Sequence, residues 1–354
     1  MDEKSVRIKD IAEKAGVSTG TVDRVIHGRT GVSSKARERV LKIINELGYE
    51  PNLIARALGS NKLYTIAALI PDPKVDSYWQ APKSGIEKAE RELKSYGLRV
   101  KQFLFNPHQK ESFVAKAREL SLTNPDGIIV SPIFYKETLP FFEQWKKLGI
   151  PFVLFNTQIT GFDPLSYIGQ DSYQSGMIAA KLIHYGNPEP CSILIAHIDE
   201  EISNADHLIK KEAGFRNYFT QSYLDLYNIK SAEFDRANLS SFILKLDQAI
   251  DSTPDLKCIY VTTSKAFAVA TYLEQRHIKH IKIVGYDLIP SNLHYLNKNS
   301  ISFLINQNPK GQGYWGIHQL TDHLVFKKEV PVLKYLPLDI ITKENLNYFT
   351  DDSI

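Results

Sequence analysis

Cysteine is almost missing from this chain: two residues in 354, Cys191 and Cys258, far apart and each inside an apolar run. That excludes a disulfide scaffold and leaves two small buried hydrophobes as the plain reading. The first residues, Met1-Asp2-Glu3-Lys4, are polar and no apolar h-region follows, so no secretory signal is expected. No apolar run approaches the roughly 20 residues a membrane helix needs. The expected setting is cytoplasmic, with no membrane partner. Catalytic signatures are scarce too. There is no phosphate-cradling Gly-Lys-Ser/Thr loop and no Gly-x-Ser-x-Gly elbow. His277/His280 and His318/His323 lack good metal spacing and have no cysteine nearby, so no metal is expected. Gly311-Gln312-Gly313-Tyr314-Trp315-Gly316 formally matches a dinucleotide fingerprint, but Lys310 precedes it and no following strand with an acidic residue stands at the required place. No cofactor is expected. Nothing assembles a nucleophile with a base, so an enzyme is not expected either.

What is present suits a soluble chain of two or three domains with a large core: 43% hydrophobic and 23% charged residues. The net charge is only +3, but it is unevenly placed. Residues 1–62 hold twelve Lys/Arg against eight Asp/Glu, whereas the remaining 292 residues carry 31 bases and 32 acids. The whole positive excess therefore sits in a short N-terminal piece, for which a polyanion partner is plausible.

Three short helical patterns run through that piece. Ile8, Ile11, Ala12 and Ala15 share one helix face. Gly16-Val17-Ser18 breaks the pattern, and Ser18 is a good N-cap for a second helix over 19–26 with Val22, Val25 and Ile26 inward. Residues 27–31 form a loop. Ser33 or Ser34 caps a third helix with Val40, Leu41, Ile44 and Leu47 as its inner stripe, ended by Gly48. Two short helices around a tight glycine turn, with a third packed across them, is the helix-turn-helix plan. A generic three-helix bundle has the same spacing.

The residues say more than the spacing. Residues 8–22, IKDIAEKAGVSTGTV, resemble the headpiece signature of the lac repressor family of bacterial transcription regulators. So do residues 48–58, GYEPNLIARAL, at the expected distance downstream. The resemblance implies a recognition helix in the major groove, with Thr19, Gly20 and Thr21 at its start and Arg24 near DNA. It also implies a hinge helix over 52–58 that orders in the minor groove, with Asn52 and Ala55 on it and Leu58 as the wedge at the central base step. Three departures stand out: Gly20 has no side chain, Asp23 replaces the usual serine, and His27 replaces the usual asparagine. The operator sequence therefore does not transfer from other members. A carboxylate at Asp23 repels phosphate unless it accepts from a cytosine N4 amine.

From residue 61 strand-like runs alternate with helical stretches. Strands are expected over 64–70, 98–105, 127–130, 152–155 and 167–169, and helices over 82–96, 111–122 and 139–148. The pattern then restarts, with helices over 172–184, 209–219, 239–249 and 266–275 and strands over 192–197, 258–262 and 281–286. A helix over 312–323 and one or two strands over 332–341 close the chain. Repeated βαβ units of this kind make parallel sheets with helices on both faces. The expected fold class is α/β: an N-terminal helix-turn-helix headpiece followed by a two-lobed domain of doubly wound parallel sheets. The segments 125–130, 169–176, 213–215 and 285–287 resemble periplasmic sugar-binding proteins, whose fold the lac repressor family shares in its ligand domain. The implied division is a headpiece at 1–50, a hinge and linker at 51–62 and an effector domain at 63–354. Its first lobe is expected to take 63–168 and 291–325, and its second 169–290 and 326–354.

Ligands in such sheets bind outside the carboxyl ends of the strands. The residues there are Tyr78, Trp79, Asn156, Thr157, Asp171, Thr263, Asp287 and Gln307. Aromatic faces with Asp, Asn and Gln suit a polyhydroxylated ligand. One departure concerns the arginine that the resemblance places just before Gly214-Phe215: Ile209, Lys210 and Lys211 stand there, and Asn204 or His207 is a candidate substitute. The expected function is a repressor of carbohydrate-utilisation genes, a homodimer on palindromic operator DNA, controlled by a small sugar-like effector. A purine or other non-sugar corepressor on the same architecture, and a sugar-metabolising enzyme with a DNA-binding appendage, are the rivals.

Overall fold

Ile11, Val22 and Val40 have no solvent exposure at all, and these three side chains define a first small core. They come from three helices: α1 (Ile8–Ala15), α2 (Thr19–Ile26) and α3 (Ser34–Glu46). The structure is a computed structural model that describes residues 6–26, 28–49, 62–200, 202, 205–222, 224 and 226–349. It divides into two units, 1–59 and 60–354. The expected hinge over 52–58, with Asn52, Ala55 and Leu58, lies outside the described residues, as do His27 and Asn204.

In the first unit, Gly16 at φ 58 ends α1 and donates its N–H to the carbonyls of Ala12 and Glu13. Ser18 then accepts from Thr21 N at 3.1 Å, which starts α2. Ser33 accepts from Ala36 N at 3.4 Å and starts α3. The expected stripe on α3 needs one correction. Val40 and Ile43 face the core, joined by the partly buried Ile44 and Leu47, whereas Leu41 is 45% exposed. Residues three, four and seven positions after Val40 return to its face of the helix; its immediate neighbour does not. Each fully buried valine or isoleucine here adds about 1.5–3 kcal/mol.

The described residues of the second unit form two six-stranded sheets. The first contains β1 (Tyr64–Pro71), β2 (Leu98–Phe105), β3 (Gly127–Val130), β4 (Phe152–Phe155), β5 (Ser166–Gly169) and β11 (Leu333–Tyr335), in the order β11-β5-β4-β3-β1-β2, all parallel. The second contains β6 (Ser192–Ile198), β7 (Asn228–Phe234), β8 (Leu256–Val261), β9 (Lys282–Tyr286), β10 (Phe303–Asn306) and β12 (Asp339–Ile341), in the order β12-β10-β9-β8-β6-β7. Among the described residues, only β12 runs antiparallel there, against β10. β3, β4 and β5 are buried along their whole length, as strands covered on both faces must be.

Among the described residues, nine further helices cover these sheets: α4 (Gln80–Leu93), α5 (Lys110–Ser121), α6 (Tyr135–Lys147), α7 (Ser172–Gly186), α8 (Asp206–Gln221), α9 (Leu239–Asp251), α10 (Ala266–Gln275), α11 (Pro290–Asn297) and α12 (Pro309–Leu324). The two lobes use the same device to seat a helix pair. A Cβ on Gly85 of α4 would collide with the Lys310 carbonyl oxygen of α12, and one on Gly313 with that of Pro82. A Cβ on Gly176 of α7 would collide with the Lys211 carbonyl oxygen of α8, and one on Gly214 with that of Tyr173.

Among the elements that differ from the sequence reading, three stand out. β7 was not expected, because only its last residue, Phe234, is buried and its sequence NIKSAEF carries no apolar run. α11 follows Pro290, which sits in its first turn. α6 starts four residues before the expected position and runs through Pro140. The lobe division also moves. The expected first-lobe segment 291–325 splits, because β10 pairs with β9 in the second sheet (Leu304 opposite Gly285) while α12 packs on the first. The expected second-lobe segment 326–354 splits as well, since β11 joins β5 of the first sheet.

Candidate functional site

The carboxyl ends of the strands of both sheets open onto a cleft of about 1040 Å³ between the lobes. On the first lobe, Asp76 follows β1 and its Oδ1 accepts from Tyr78 N at 3.2 Å, which shapes the short turn Ser77–Trp79. That turn delivers two aromatic rings to the cleft. Tyr78 and Trp79 meet edge-on with centroids 4.9 Å apart, and Tyr78 OH receives Asn156 Nδ2 at 2.7 Å. Asn156 ends β4 with φ 66.

The second lobe repeats this plan. Asp287 ends β9 with φ 69, the left-handed region that Asn and Asp tolerate best. Its carboxylate accepts twice from Gln307 Nε2, at 2.8 and 2.7 Å. Asp287 is 2% exposed; burial pushes its carboxyl up to about 6, against the pull of Lys211 and Gln307. Lys211 of α8 is equally buried. Its Nζ donates to the Thr262 carbonyl at 2.9 Å and lies 3.7 Å above the Tyr286 ring. Burial brings the Lys211 ammonium down to about 8, opposed by Asp287 and Glu200. The two groups are therefore an acceptor and a donor that their surroundings under-compensate, facing one cavity.

Two buried networks hold this wall in place. Asn292, without exposure, donates to the carbonyls of Ser264, Tyr286 and Asp287 and accepts from Phe267 N. It ties the loop after β8 to the loop after β9. His197 pairs with Glu212 at 2.8 Å through one ring nitrogen and with the Thr262 hydroxyl at 2.9 Å through the other. Hydrogen bonds from His197 and Arg216 hold the Glu212 carboxyl down at about 2. That network fixes Thr262, which holds Lys211.

Of the residues expected from sequence, Tyr78, Trp79, Asn156, His207, Thr263, Asp287 and Gln307 all line the cleft. Thr263 donates to the Ile198 carbonyl at 3.2 Å. His207 pairs with Glu200 at 3.0 Å, and its Nδ1 is buried with no partner among the described residues. Thr157 does not line the cleft; its hydroxyl donates to Asn156 Oδ1 at 3.2 Å. Asp171 does not line it either. Its Oδ1 accepts from Gln174 N at 3.0 Å, so it spends its carboxylate capping α7. Asp76, Lys211, Lys265, Arg236 and Asn292 were not expected. Lys211 had a signal, because it stands three residues before Gly214 in the stretch where an arginine was looked for. Lys265 and Asp76 had only their places after β8 and β1.

In the first unit, Thr19, Gly20 and Arg24 are exposed on α2, while Val22 and Val25 turn inward. Thr21 is half-buried and its hydroxyl lies 3.0 Å from that of Ser18, so it belongs to the helix cap.

Residues 7–52 match the family of bacterial regulatory proteins, lacI family, and residues 66–328 match the periplasmic binding protein domain family. The chain belongs to the lacI family of regulators. Its relatives include catabolite control protein A of Priestia megaterium, 28% identical over 293 residues, which is 80% of this chain and 82% of that protein. The ribose operon repressor of Lactococcus lactis is 30% identical over 223 residues, 61% of this chain and 64% of that one. Among solved structures, one from Bacteroides fragilis described as a LacI transcriptional regulator superposes with a TM-score of 0.75 and 32% identity. That match covers 81% of this chain and 99% of the other. In this lacI-family chain, the cleft opens at the carboxyl ends of the strands, where such a fold holds a small ligand.

Proposed function

We propose that this chain is a repressor of carbohydrate-utilisation genes, a cytoplasmic homodimer that binds a palindromic operator and releases or engages it when a small sugar-like effector enters the cleft. The observation that carries the effector class is the facing of Tyr78 and Trp79 on one lobe with the Asp287–Gln307 pair and Lys211 on the other. Rings cover the C–H faces of a sugar, and a carboxylate and an ammonium take its hydroxyls as donor and acceptor. The ribose operon repressor among the relatives supports a sugar. The cleft is read as a receptor site rather than a catalytic one; turnover of a sugar by the purified chain would overturn that.

Thr19, Gly20, Thr21 and Arg24 are assigned to the major groove, and residues 51–62 to a hinge that carries Asn52, Ala55 and Leu58 into the minor groove. Effector binding changes the relation of the lobes and hence of the paired hinges. The coupling is reciprocal, so operator DNA must shift effector affinity by the same factor as effector shifts operator affinity. The test is a thermal-shift screen over hexoses, pentoses, sugar acids, sugar phosphates and purines, followed by titration of the hit with and without DNA. A ligand at a hundred times its dissociation constant adds about 2.7 kcal/mol of stability. A sugar hit whose affinity changes with DNA supports the reading. A purine hit overturns the sugar and keeps the regulator, and equal affinity with and without DNA overturns the coupling.

A further inference from the structure

The recognition helix α2 carries a glycine that nothing among the described residues calls for. Glycine in a helix costs roughly 0.5–1 kcal/mol relative to alanine. A positive φ or a crowded Cβ usually accounts for it. Gly20 has neither, since a Cβ built on it would meet only the Ser18 hydroxyl, at an ordinary 3.8 Å. Val22 and Val25 face the core, which puts Gly20 and Arg24 on the opposite face with Asp23 beside them. Asp23 receives Arg29 Nη1 at 3.2 Å, and both side chains stay substantially in solvent. Arg37 in turn donates to the Arg29 carbonyl at 3.0 Å and steadies that loop. The surface thus presents bare backbone next to a carboxylate whose charge a guanidinium offsets.

We infer that Gly20 and Asp23 form one specificity element that reads a cytosine in each operator half-site. The missing side chain lets α2 sit closer to the base edges, and Asp23 accepts a hydrogen bond from the cytosine N4 amine. The major groove offers a carboxylate few choices. Guanine O6 and N7 and thymine O4 repel it, and adenine presents its amine beside the N7 acceptor, whereas cytosine shows a donor alone. Arg29 keeps Asp23 from being driven off by the phosphates. The inference rests on the DNA-binding reading above.

The test is selection of binding sites from a random duplex library by the full chain, by Asp23→Asn and by Asp23→Ser, with circular dichroism as the fold check. Asp23→Asn keeps an acceptor oxygen for Arg29 and exchanges the reading carboxylate for an amide. The wild type is expected to enrich a cytosine at one symmetry-related position, Asp23→Asn to move that preference to adenine, and Asp23→Ser to lose it. Replacing that base by N4-methylcytosine, which blocks the amine, is expected to weaken wild-type binding roughly tenfold and to leave Asp23→Ser unaffected. Gly20→Gln is expected to weaken binding to the wild-type site by a similar factor with no loss of helix. Identical motifs and affinities for the wild type and both Asp23 variants, or indifference of the wild type to N4-methylcytosine, would overturn the inference while leaving the regulator intact. A wild type that enriches no motif at all would sink both.

Discussion

Lys265 Nζ lies 2.6 Å from Asp76 Oδ1, and the two residues belong to different lobes. Lys265 follows β8 of the second sheet and Asp76 follows β1 of the first. Their side chains are 8% and 13% exposed, so the bridge crosses the cleft in a largely dry place. Asp76 also shapes the turn bearing Tyr78 and Trp79. One carboxylate therefore links the closure of the lobes to the placement of the aromatic wall.

Asp76→Asn preserves a capping oxygen but removes the charge, which leaves the Lys265 ammonium without its partner. We expect a loss of about 1–3 kcal/mol, below the range for fully buried pairs because the cleft admits water. We also expect a larger radius of gyration in small-angle X-ray scattering, since the bridge ties one lobe to the other at the cleft. The double variant with Lys265→Met should recover part of the stability and none of the closure. An unchanged radius and melting midpoint in Asp76→Asn would show that the bridge does not hold the lobes.

The Asp287–Lys211 pair predicts a stability profile with a defined sign. The Asp287 carboxyl is raised to about 6 in the fold, so the native state binds this proton more tightly than the unfolded chain. Its contribution is fully present below the ordinary carboxylate range and is lost as pH rises toward 6. Lys211 is lowered to about 8, so its charged form costs stability below pH 8, and that cost is relieved as pH rises from 8 toward the ordinary lysine value. Urea unfolding of Asp287→Asn, compared with the wild type from pH 4.5 to 7, should remove a downward slope worth on the order of 2 kcal/mol. Parallel profiles for the two proteins would mean that Asp287 ionises as freely in the fold as in the unfolded chain.

Much of this architecture was legible because the physics that sets it is local in sequence. β2, β3 and β4 and helices α2 and α10 lie where runs of apolar residues and capping serines place them. The strand ends then pointed to the cleft, and seven of the expected residues line it. What escaped depends on long-range packing. An edge strand such as β7 needs no apolar run, so Asn228–Phe234 left no trace in the pattern. Asp171 reads as a ligand at the end of β5, yet the first turn of α7 captures its carboxylate. Lys211 stands where the resemblance places an arginine, and it is the close packing of α7 on α8 through Gly176 and Gly214 that accompanies its place in the cleft wall.

That crossing makes Gly214→Ala informative. The added methyl would run into the Tyr173 carbonyl, and neither backbone can yield cheaply. We expect a loss of about 1–3 kcal/mol from overpacking. We also expect weaker binding of whichever sugar the thermal-shift screen identifies, because Lys211 lies one turn away on the same helix. Gly186→Ala, at the far end of α7 where a Cβ meets nothing, is the control and should change neither. Equal melting midpoints for Gly214→Ala and the wild type would refute close packing as the reason for the glycine.

Arg24 offers a prediction that separates two ways of using a charge. It is exposed in the last turn of α2, facing away from Val22 and Val25, so Arg24→Ala should leave the melting midpoint of the headpiece unchanged. Operator binding in a gel-shift titration should fall by about 1–3 kcal/mol. The salt dependence then tells what the guanidinium touches. If Arg24 contacts a phosphate, the loss is the same on every DNA sequence, and the slope of log affinity against log salt falls by about one, because one counterion fewer is released. If it reads a guanine through its two-pronged donor set, the slope holds and the loss appears only on the selected site. Its place beside Gly20, where α2 has no side chain to keep it from the groove floor, favours the second outcome. Undiminished operator affinity in Arg24→Ala would remove α2 from the DNA interface altogether.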